Sequence, residues 1–144
     1  MEIRALTEDD IPALAGLYKQ FWGEESDPAA MRAQFRRLAA AGSHLFLGAV
    51  LDGRLVGSVM GVVCGELYGP CRPFLVVENM IVDAPRRGCG IGKALLAALE
   101  KRAAERGCGQ AILVTEADRP DACAFYAAAG YPAGAHRGFK KKLG

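Results

Sequence analysis

Near the middle of the chain stands the run Arg86-Arg87-Gly88-Cys89-Gly90-Ile91-Gly92-Lys93, which joins an apolar segment, 74–82, to an amphipathic segment extending to about Arg106. This order predicts a strand, a glycine-rich turn and a helix. Alternating glycines let consecutive backbone N–H groups approach a ligand closely. The first helical turn adds unpaired N–H donors and the positive end of the helix dipole. A phosphate group suits such a turn, and the arginines and the lysine of the run add positive charge around it.

Two familiar phosphate-binding loops do not fit this run. A P-loop needs Gly-Lys followed by Ser or Thr, but Lys93 is followed by Ala94, so the hydroxyl that would bind Mg²⁺ is missing. A dinucleotide-binding fold needs G-x-G-x-x-G early in its βαβ unit, whereas this loop reads G-x-G-x-G and follows more than half of the chain. A plain turn without a ligand is the other interpretation, although three glycines and three cations exceed what a turn requires.

Length and composition limit the class of protein. The chain has 144 residues, 51% of them hydrophobic and 24% charged, which is enough for one compact domain over residues 1–144. A net charge of +2 is too small to indicate a nucleic-acid partner. The lysines at 140–142 fit a solvated edge strand or tail better than a binding patch.

The cysteines and the N-terminus give no sign of a metal site, a disulfide framework or a membrane segment. The five cysteines form no C-x-x-C pair, so neither a zinc nor a redox motif is present. The start of the chain, Met1-Glu2-Ile3-Arg4, turns polar at once and resembles no signal peptide. We therefore expect a reduced, cytoplasmic protein with no metal and no membrane partner.

Hydrophobic spacing and turn signals predict the other elements. Strands are expected over 3–6, 44–51, 55–65, 74–82 and 110–115, with a closing hairpin over about 133–143. Helices are expected from Thr7 through Phe21, over 28–40, from Ile91 to about Arg106, and from Asp121 towards Gly130. The order strand, loop, helix, strand predicts that 74–82 and 110–115 are parallel.

Glu78 and Asn79 interrupt the otherwise apolar strand 74–82. That apolar character indicates a strand covered on both faces. Burying a carboxylate in such a strand costs free energy, so we expect one there only if it is paired or has a function. Either Glu78 lies at a solvated edge or pairs with an arginine, or it is a general base acting directly or through a water.

Three motifs resemble the GNAT superfamily, the acetyl-CoA-dependent N-acetyltransferases. Arg87, Gly90 and Gly92 match the Arg-x-x-Gly-x-Gly loop that binds the pyrophosphate of coenzyme A. The run Val77-Glu78-Asn79-Met80-Ile81-Val82 matches I/V-E-x-h-x-V in the family's fourth strand. The run Arg119-x-x-Ala122-Cys123-Ala124-Phe125-Tyr126-x-x-x-Gly130-Tyr131 is similar to the R-x-x-A-H-x-F-Y-x-x-x-G-F tail of many bacterial members. Cys123 replaces the usual His there, and Tyr131 the usual Phe.

The resemblance implies a fold and an activity. The fold is a single GNAT-like domain of the α/β (α+β) class, with a mixed central sheet of six to seven strands and about four helices. The activity is direct transfer of an acetyl group from acetyl-CoA to a primary amine, without an acyl-enzyme. The family also has a bulge in its fourth strand that opens a wedge for the pantetheine arm of the cofactor, and homodimers are common in it.

The same resemblance implies the site residues. Cofactor contacts are expected at Met80, Ile81, Val82, Arg87, Gly88, Cys89, Gly90, Ile91, Gly92, Lys93, Arg119 and Tyr126. Tyr126 would also be the acid that protonates the departing thiolate; the alternative is that it is an aromatic residue of the packing. The alternative for Arg119 is a surface cation without a ligand. The first two helices border the acceptor site in the family, so Tyr18, Phe21, Trp22 and Glu24 would line it together with Glu78; by spacing alone they include core residues.

The acceptor is left open by the residues. A glutamate base suits a small primary amine, such as an amino sugar, an aminoglycoside, a polyamine or an amino acid. A peptide or protein amine is a second possibility. A module that holds acyl-CoA without turnover, as a sensor or subunit, is the alternative from another functional class.

Overall fold

Five strands and four α-helices make up the structure, a computed structural model that describes residues 1–144. The strands are β1 Glu2–Ala5, β2 His44–Leu51, β3 Arg54–Cys64, β4 Phe74–Val82 and β5 Ala111–Ile112. The α-helices are α1 Ile11–Trp22, α2 Pro28–Ala41, α3 Ile91–Glu105 and α4 Pro120–Ala128, and short 3-10 helices cover Glu8–Asp10 and Ala84–Arg86. The chain divides into two compact units, Met1–Ile112 with the sheet and Leu113–Gly144 with α4. No helix combines the length and the apolar character that crossing a membrane requires.

The sheet confirms the predicted α/β class and its parallel unit. Its strand order is β1-β2-β3-β4-β5, and the first four strands run antiparallel to their neighbours. The β4-α3-β5 connection makes β5 parallel to β4. Between β2 and β3 the chain turns at Asp52 and Gly53, whose φ angles of +51° and +75° fit a tight hairpin.

The predicted count of six to seven strands is wrong, because the sheet has five. β5 is limited to Ala111–Ile112, and no strand forms in the predicted hairpin at 133–143. That segment lacks an apolar face to bury: Phe139 and Leu143 are 91% and 89% exposed. Gly134 and Gly138 further weaken strand pairing there.

Two glycines of β3 allow α3 to lie directly on the sheet. A Cβ at Gly57 would lie 3.1 Å from Ile91 Cγ2, and one at Gly61 would lie 2.7 Å from Leu99 Cδ1. Ile91, Leu95 and Leu99 are buried against this face, which agrees with the amphipathic helix predicted for this segment. These contacts determine where α3 begins, and therefore where the glycine-rich turn lies.

An ion pair joins β1 to the start of α1. The Arg4 guanidinium donates from Nη1 and Nη2 to Asp10 Oδ2 and Oδ1 at 2.7 and 2.8 Å. The N–H of Thr7 donates to Asp10 Oδ2 at 2.7 Å, which caps the helix entry. Asp10 is only 9% exposed, and the hydrogen bond from Arg4, followed by the one from Thr7, lowers its pKa to about 2.

We expect Asp10→Asn to lower the free energy of unfolding by about 2 kcal/mol at neutral pH. Because the folded-state pKa of Asp10 lies below the ordinary aspartate value of 3.8, this contribution is present above about pH 4 and is lost as pH falls towards about 2. Urea unfolding of both proteins at neutral and acid pH measures the difference. The exposed Asp9→Asn is the matched control, and a deficit for Asp10→Asn that did not shrink in acid would contradict the assignment.

Candidate active site

The turn between β4 and α3 bends where the sequence places its glycines. Gly88 and Gly90 have φ angles of +78° and +79°, in the left-handed region that side chains disfavour. A Cβ at either position would meet no atom within 4 Å. Backbone conformation, and not space, therefore requires glycine at both positions.

The head of α3 presents unpaired donors. Its first intrahelical hydrogen bond runs from Ala94 N to Gly90 O at 3.0 Å. The N–H groups of Ile91, Gly92 and Lys93 precede this bond and have no partner within the helix. The N–H groups of 88–90 donate to no backbone carbonyl, and residues 86–90 are exposed. The turn is therefore a solvent-facing anion nest of the kind that binds phosphate.

Side chains from two directions anchor this nest. The Nε of Arg87 donates to Val82 O at 3.1 Å, so this predicted cofactor residue also ties the turn to the end of β4. Gln20 of α1 donates from Nε2 to Asp83 Oδ1 at 2.8 Å and accepts from Ala84 N at 3.1 Å. Sequence reasoning missed Gln20, because its partners lie 63 and 64 residues away and no local pattern connects them.

The bulge that the family resemblance implied is present in β4. Ser58 faces Ile81 but Met60 faces Glu78, so a step of two residues on β3 matches a step of three on β4. Asn79 lies in the bulge with a φ of +51°, a conformation that Asn tolerates better than most residues. An Asn inside an apolar strand was the signal for it in the sequence.

Tyr18 of α1 supports the bulge. Its hydroxyl is hydrogen-bonded to the side chain of Asn79. Burial raises the pKa of the Tyr18 hydroxyl, and the Asn79 hydrogen bond opposes this shift in part. The ring packs against the buried cluster of Leu6, Ile11 and Leu14, which holds the hydroxyl in place.

The edge of β4 beyond the bulge has no neighbouring strand. β5 pairs with β4 only at Leu75 and Val76. From Val77 to Val82, β4 therefore has no strand beside it on this edge. Met80 and Val82 are half-buried and Ile81 is buried, so these predicted cofactor contacts would have to come mainly from the main chain.

The side chain of Glu78 is exposed and forms no ion pair or side-chain hydrogen bond. The expectation that both faces of β4 are covered is wrong at this point, because the face that carries Glu78 is only partly buried. Its carboxylate thus escapes the cost of burial and has no arginine partner. Its role as a base stays a prediction.

Three of the predicted acceptor-lining residues lie together at the end of α1. The Trp22 ring is 5.2 Å from that of Tyr18 and 4.8 Å from that of Phe21, both edge to face. Trp22 is 49% exposed, which leaves an aromatic face in contact with solvent. Glu24 lies in the exposed segment after α1 and makes no hydrogen bond or ion pair, so the structure does not connect it to this cluster.

The second unit contains Arg119 and Tyr126, two of the predicted cofactor contacts. Arg119 is the N-cap residue of α4, and Tyr126 lies near the C-terminal end of the same helix. The Tyr126 ring packs edge to face on Phe125 at 5.0 Å and on Tyr131 at 6.1 Å. The thiol of Cys123, at the position of the usual His, donates to Glu116 O at 3.9 Å. The roles of Arg119 and Tyr126 stay predictions.

Comparison with known proteins gives a family match. The model of the "Acetyltransferase (GNAT) family" matches residues 11–131. Glucosamine 6-phosphate N-acetyltransferase 1 of Oryza sativa subsp. japonica is 35% identical over 105 residues, which are 71% of this chain and 62% of that protein. Aminoglycoside N(6')-acetyltransferase type 1 of Stenotrophomonas maltophilia is 28% identical over 131 residues, 90% of this chain and 84% of that protein.

A solved structure extends the likeness to the fold. The crystal structure of a transcriptional regulator from Bacillus halodurans C-125 superimposes with a TM-score of 0.89 and 26% sequence identity. The match covers 99% of each chain.

Asn79→Val is expected to lower the free energy of unfolding by about 1–2 kcal/mol more than Asn79→Gly, because a β-branched residue is strained at positive φ and glycine is not. Urea unfolding of the two variants measures this difference. Equal losses would mean that the bulge does not need a left-handed residue.

Gly90→Ala and Gly53→Ala form a matched pair, since both glycines have positive φ and open space around the missing Cβ. Each should lose about 1 kcal/mol of stability. Only Gly90→Ala should also weaken coenzyme A binding, by roughly tenfold, because only it distorts the nest. Titration calorimetry with coenzyme A provides the affinity. Equal affinities in the two variants would place the phosphate elsewhere.

Proposed function

Because this chain belongs to the acetyltransferase (GNAT) family, we propose that it transfers an acetyl group from acetyl-CoA directly to a primary amine of a small molecule. The main support is the nest at the head of α3, which a short 3-10 helix, Ala84–Arg86, connects to a bulged strand with an open edge. The names of the matched relatives, a glucosamine 6-phosphate and an aminoglycoside N-acetyltransferase, support a small amine acceptor.

The nest and the open edge of β4 would bind different parts of acetyl-CoA. Arg87 and the turn 88–93 would bind the pyrophosphate through main-chain N–H groups and positive charge. The main chain of 80–82 would align the pantetheine arm along the open edge of β4. Acetyl-CoA, when bound, supplies the activated acetyl thioester. The N–H groups of 80–82 are then suited to polarise its carbonyl.

Two residues would move protons. Glu78, exposed and unpaired, takes a proton from the ammonium of the acceptor, directly or through a water. The neutral nitrogen would then form the new bond to the acetyl carbon, and the bond from that carbon to sulfur would break. Tyr126 would give its hydroxyl proton to the departing sulfur. The nitrogen would lose a second proton to water, and Tyr126 would regain a proton from water, so that an amide and a free thiol result. No cysteine is needed as a nucleophile in this direct transfer.

The remaining assignments belong to the same proposal. Tyr18, Phe21, Trp22 and Glu24 would border the acceptor, and Arg119 would contact cofactor or acceptor. A cytoplasmic location and a homodimer are part of the proposal too. The cysteine usage supports the cytoplasmic location, and the frequency of homodimers in the family supports the dimer.

Thiol release from acetyl-CoA tests the function across a panel of amines: glucosamine 6-phosphate, kanamycin, spermidine, phenethylamine and an amino acid. Tyr126→Phe should lower kcat by about a hundredfold or more, the usual contribution of a general acid. Its affinity for acetyl-CoA by calorimetry should change little. Tyr68→Phe makes the same chemical change at a position that is 82% exposed, and it should keep the wild-type rate.

Two outcomes would contradict the proposal. If every amine is inert while acetyl-CoA still raises the melting temperature, the protein is a module that binds acyl-CoA without turnover. If millimolar coenzyme A produces no heat, the nest does not hold this cofactor at all.

A further inference from the structure

One face of the sheet carries a row of apolar side chains that ends at Glu78. Directly paired residues on neighbouring strands point to the same face. Phe46, Met60 and Glu78 form one such row across β2, β3 and β4. Two residues further along each strand, a second row crosses β2 to β5 and consists of His44, Val62, Val76 and Ile112.

Helix α2 covers only the β2 end of these rows. The ring of Phe35 packs on that of Phe46 at 5.1 Å. Beyond it, Met60, Val62 and Val76 are only half-buried, and Ile112 is 44% exposed. We call these four side chains the apolar shelf. The opposite face of the same strands, with Val59, Leu75 and Val77, is fully buried.

Charge is scarce on this surface. Glu78 is the one carboxylate in the two rows, and it has no ionic partner. The His44 ring lies at the far end on β2, where its Nδ1 is 3.0 Å from Ser43 Oγ. A ligand on the shelf would therefore meet one negative charge at one end and hydrocarbon along the rest.

The shelf is also continuous with the proposed transfer site. Glu78 is followed directly by the bulge at Asn79 and by the backbone of 80–82. An ammonium group held by Glu78 is thus next to the strand edge assigned to the thioester. Along the strand, Val76 lies about 7 Å from Glu78, and Ile112 lies about 5 Å further across.

We infer that the acceptor is a primary monoamine with an apolar body, which binds with its ammonium group at Glu78 and its hydrocarbon on the apolar shelf. The inference rests on the proposed function and narrows its substrate class to alkylamines and arylalkylamines of about phenethylamine size. A polycation fits poorly, because its further ammonium groups would be desolvated against Val76 and Ile112 without a counter-charge.

A series of linear amines tests this inference. Specificity, as kcat/KM from thiol release, is measured for ethylamine, butylamine, hexylamine and octylamine, with kanamycin, spermidine and glucosamine 6-phosphate for comparison. Each methylene that reaches the shelf should raise kcat/KM by about fourfold, the value of one buried CH₂ group. The kcat/KM for hexylamine should be higher than that for any of the three polar amines.

Substitutions on the shelf locate the effect. Ile112→Ser and the nearly isosteric Val76→Thr should both flatten the dependence of kcat/KM on chain length. Leu67→Ser, at a position in the β3–β4 loop that is 94% exposed, is the control and should leave the slope unchanged. Circular dichroism confirms that each variant is folded, and the second shelf variant keeps the test valid if the first is not.

The outcomes separate the inference from the function. A flat chain-length dependence, or a polar amine that exceeds hexylamine, would overturn the inference while leaving acetyl transfer intact. A steep dependence that neither shelf variant changes would overturn it as well. If no amine of either set releases thiol, the proposed function itself fails.

Discussion

The close approach of α3 to β3 is the constraint on which the rest of the site depends. Because Gly57 and Gly61 have no side chains, the leucines of α3 lie directly on the sheet. The helix is then held at a fixed height, and its N-terminal donors face solvent next to the end of β4. A strand–turn–helix sequence produces a phosphate nest in many proteins, but packing at two glycines gives this nest its position relative to the strand beside it.

Two irregularities of the sheet supply the other half of the site. The bulge at Asn79 turns the course of β4, and the short β5 leaves its outer edge without a partner. Main-chain groups that a longer β5 would have used are thus open to an extended polar ligand. The same break separates Glu78, which belongs to the regular part of the strand, from the backbone of 80–82. The proposed base and the main chain proposed to align the acetyl donor thus lie on adjacent stretches of one strand.

Local patterns predicted the elements well and the contacts between distant residues poorly. The bounds of β2 and β4 match the prediction, since both are apolar runs between clear turn signals. The glycine-rich run likewise predicted the turn between β4 and α3. The sequence left open whether Glu78 is exposed, because its exposure depends on which helices lie over the neighbouring strands. The role of Gln20 was not predicted either, because its hydrogen-bond partners are distant in the sequence. The hairpin at 133–143 was predicted from the order of the elements, although that segment has no apolar face to bury.

The two hydrogen bonds of the Gln20 side chain limit which residues can replace it, although the position is exposed. Its side-chain amide donates to the Asp83 carboxylate and accepts from the Ala84 N–H. A glutamate there would oppose one carboxylate to another, and a lysine would have no acceptor for the amide. Although it faces water, this position should accept as few replacements as an interior one, since two partners of opposite character must be satisfied by one planar group.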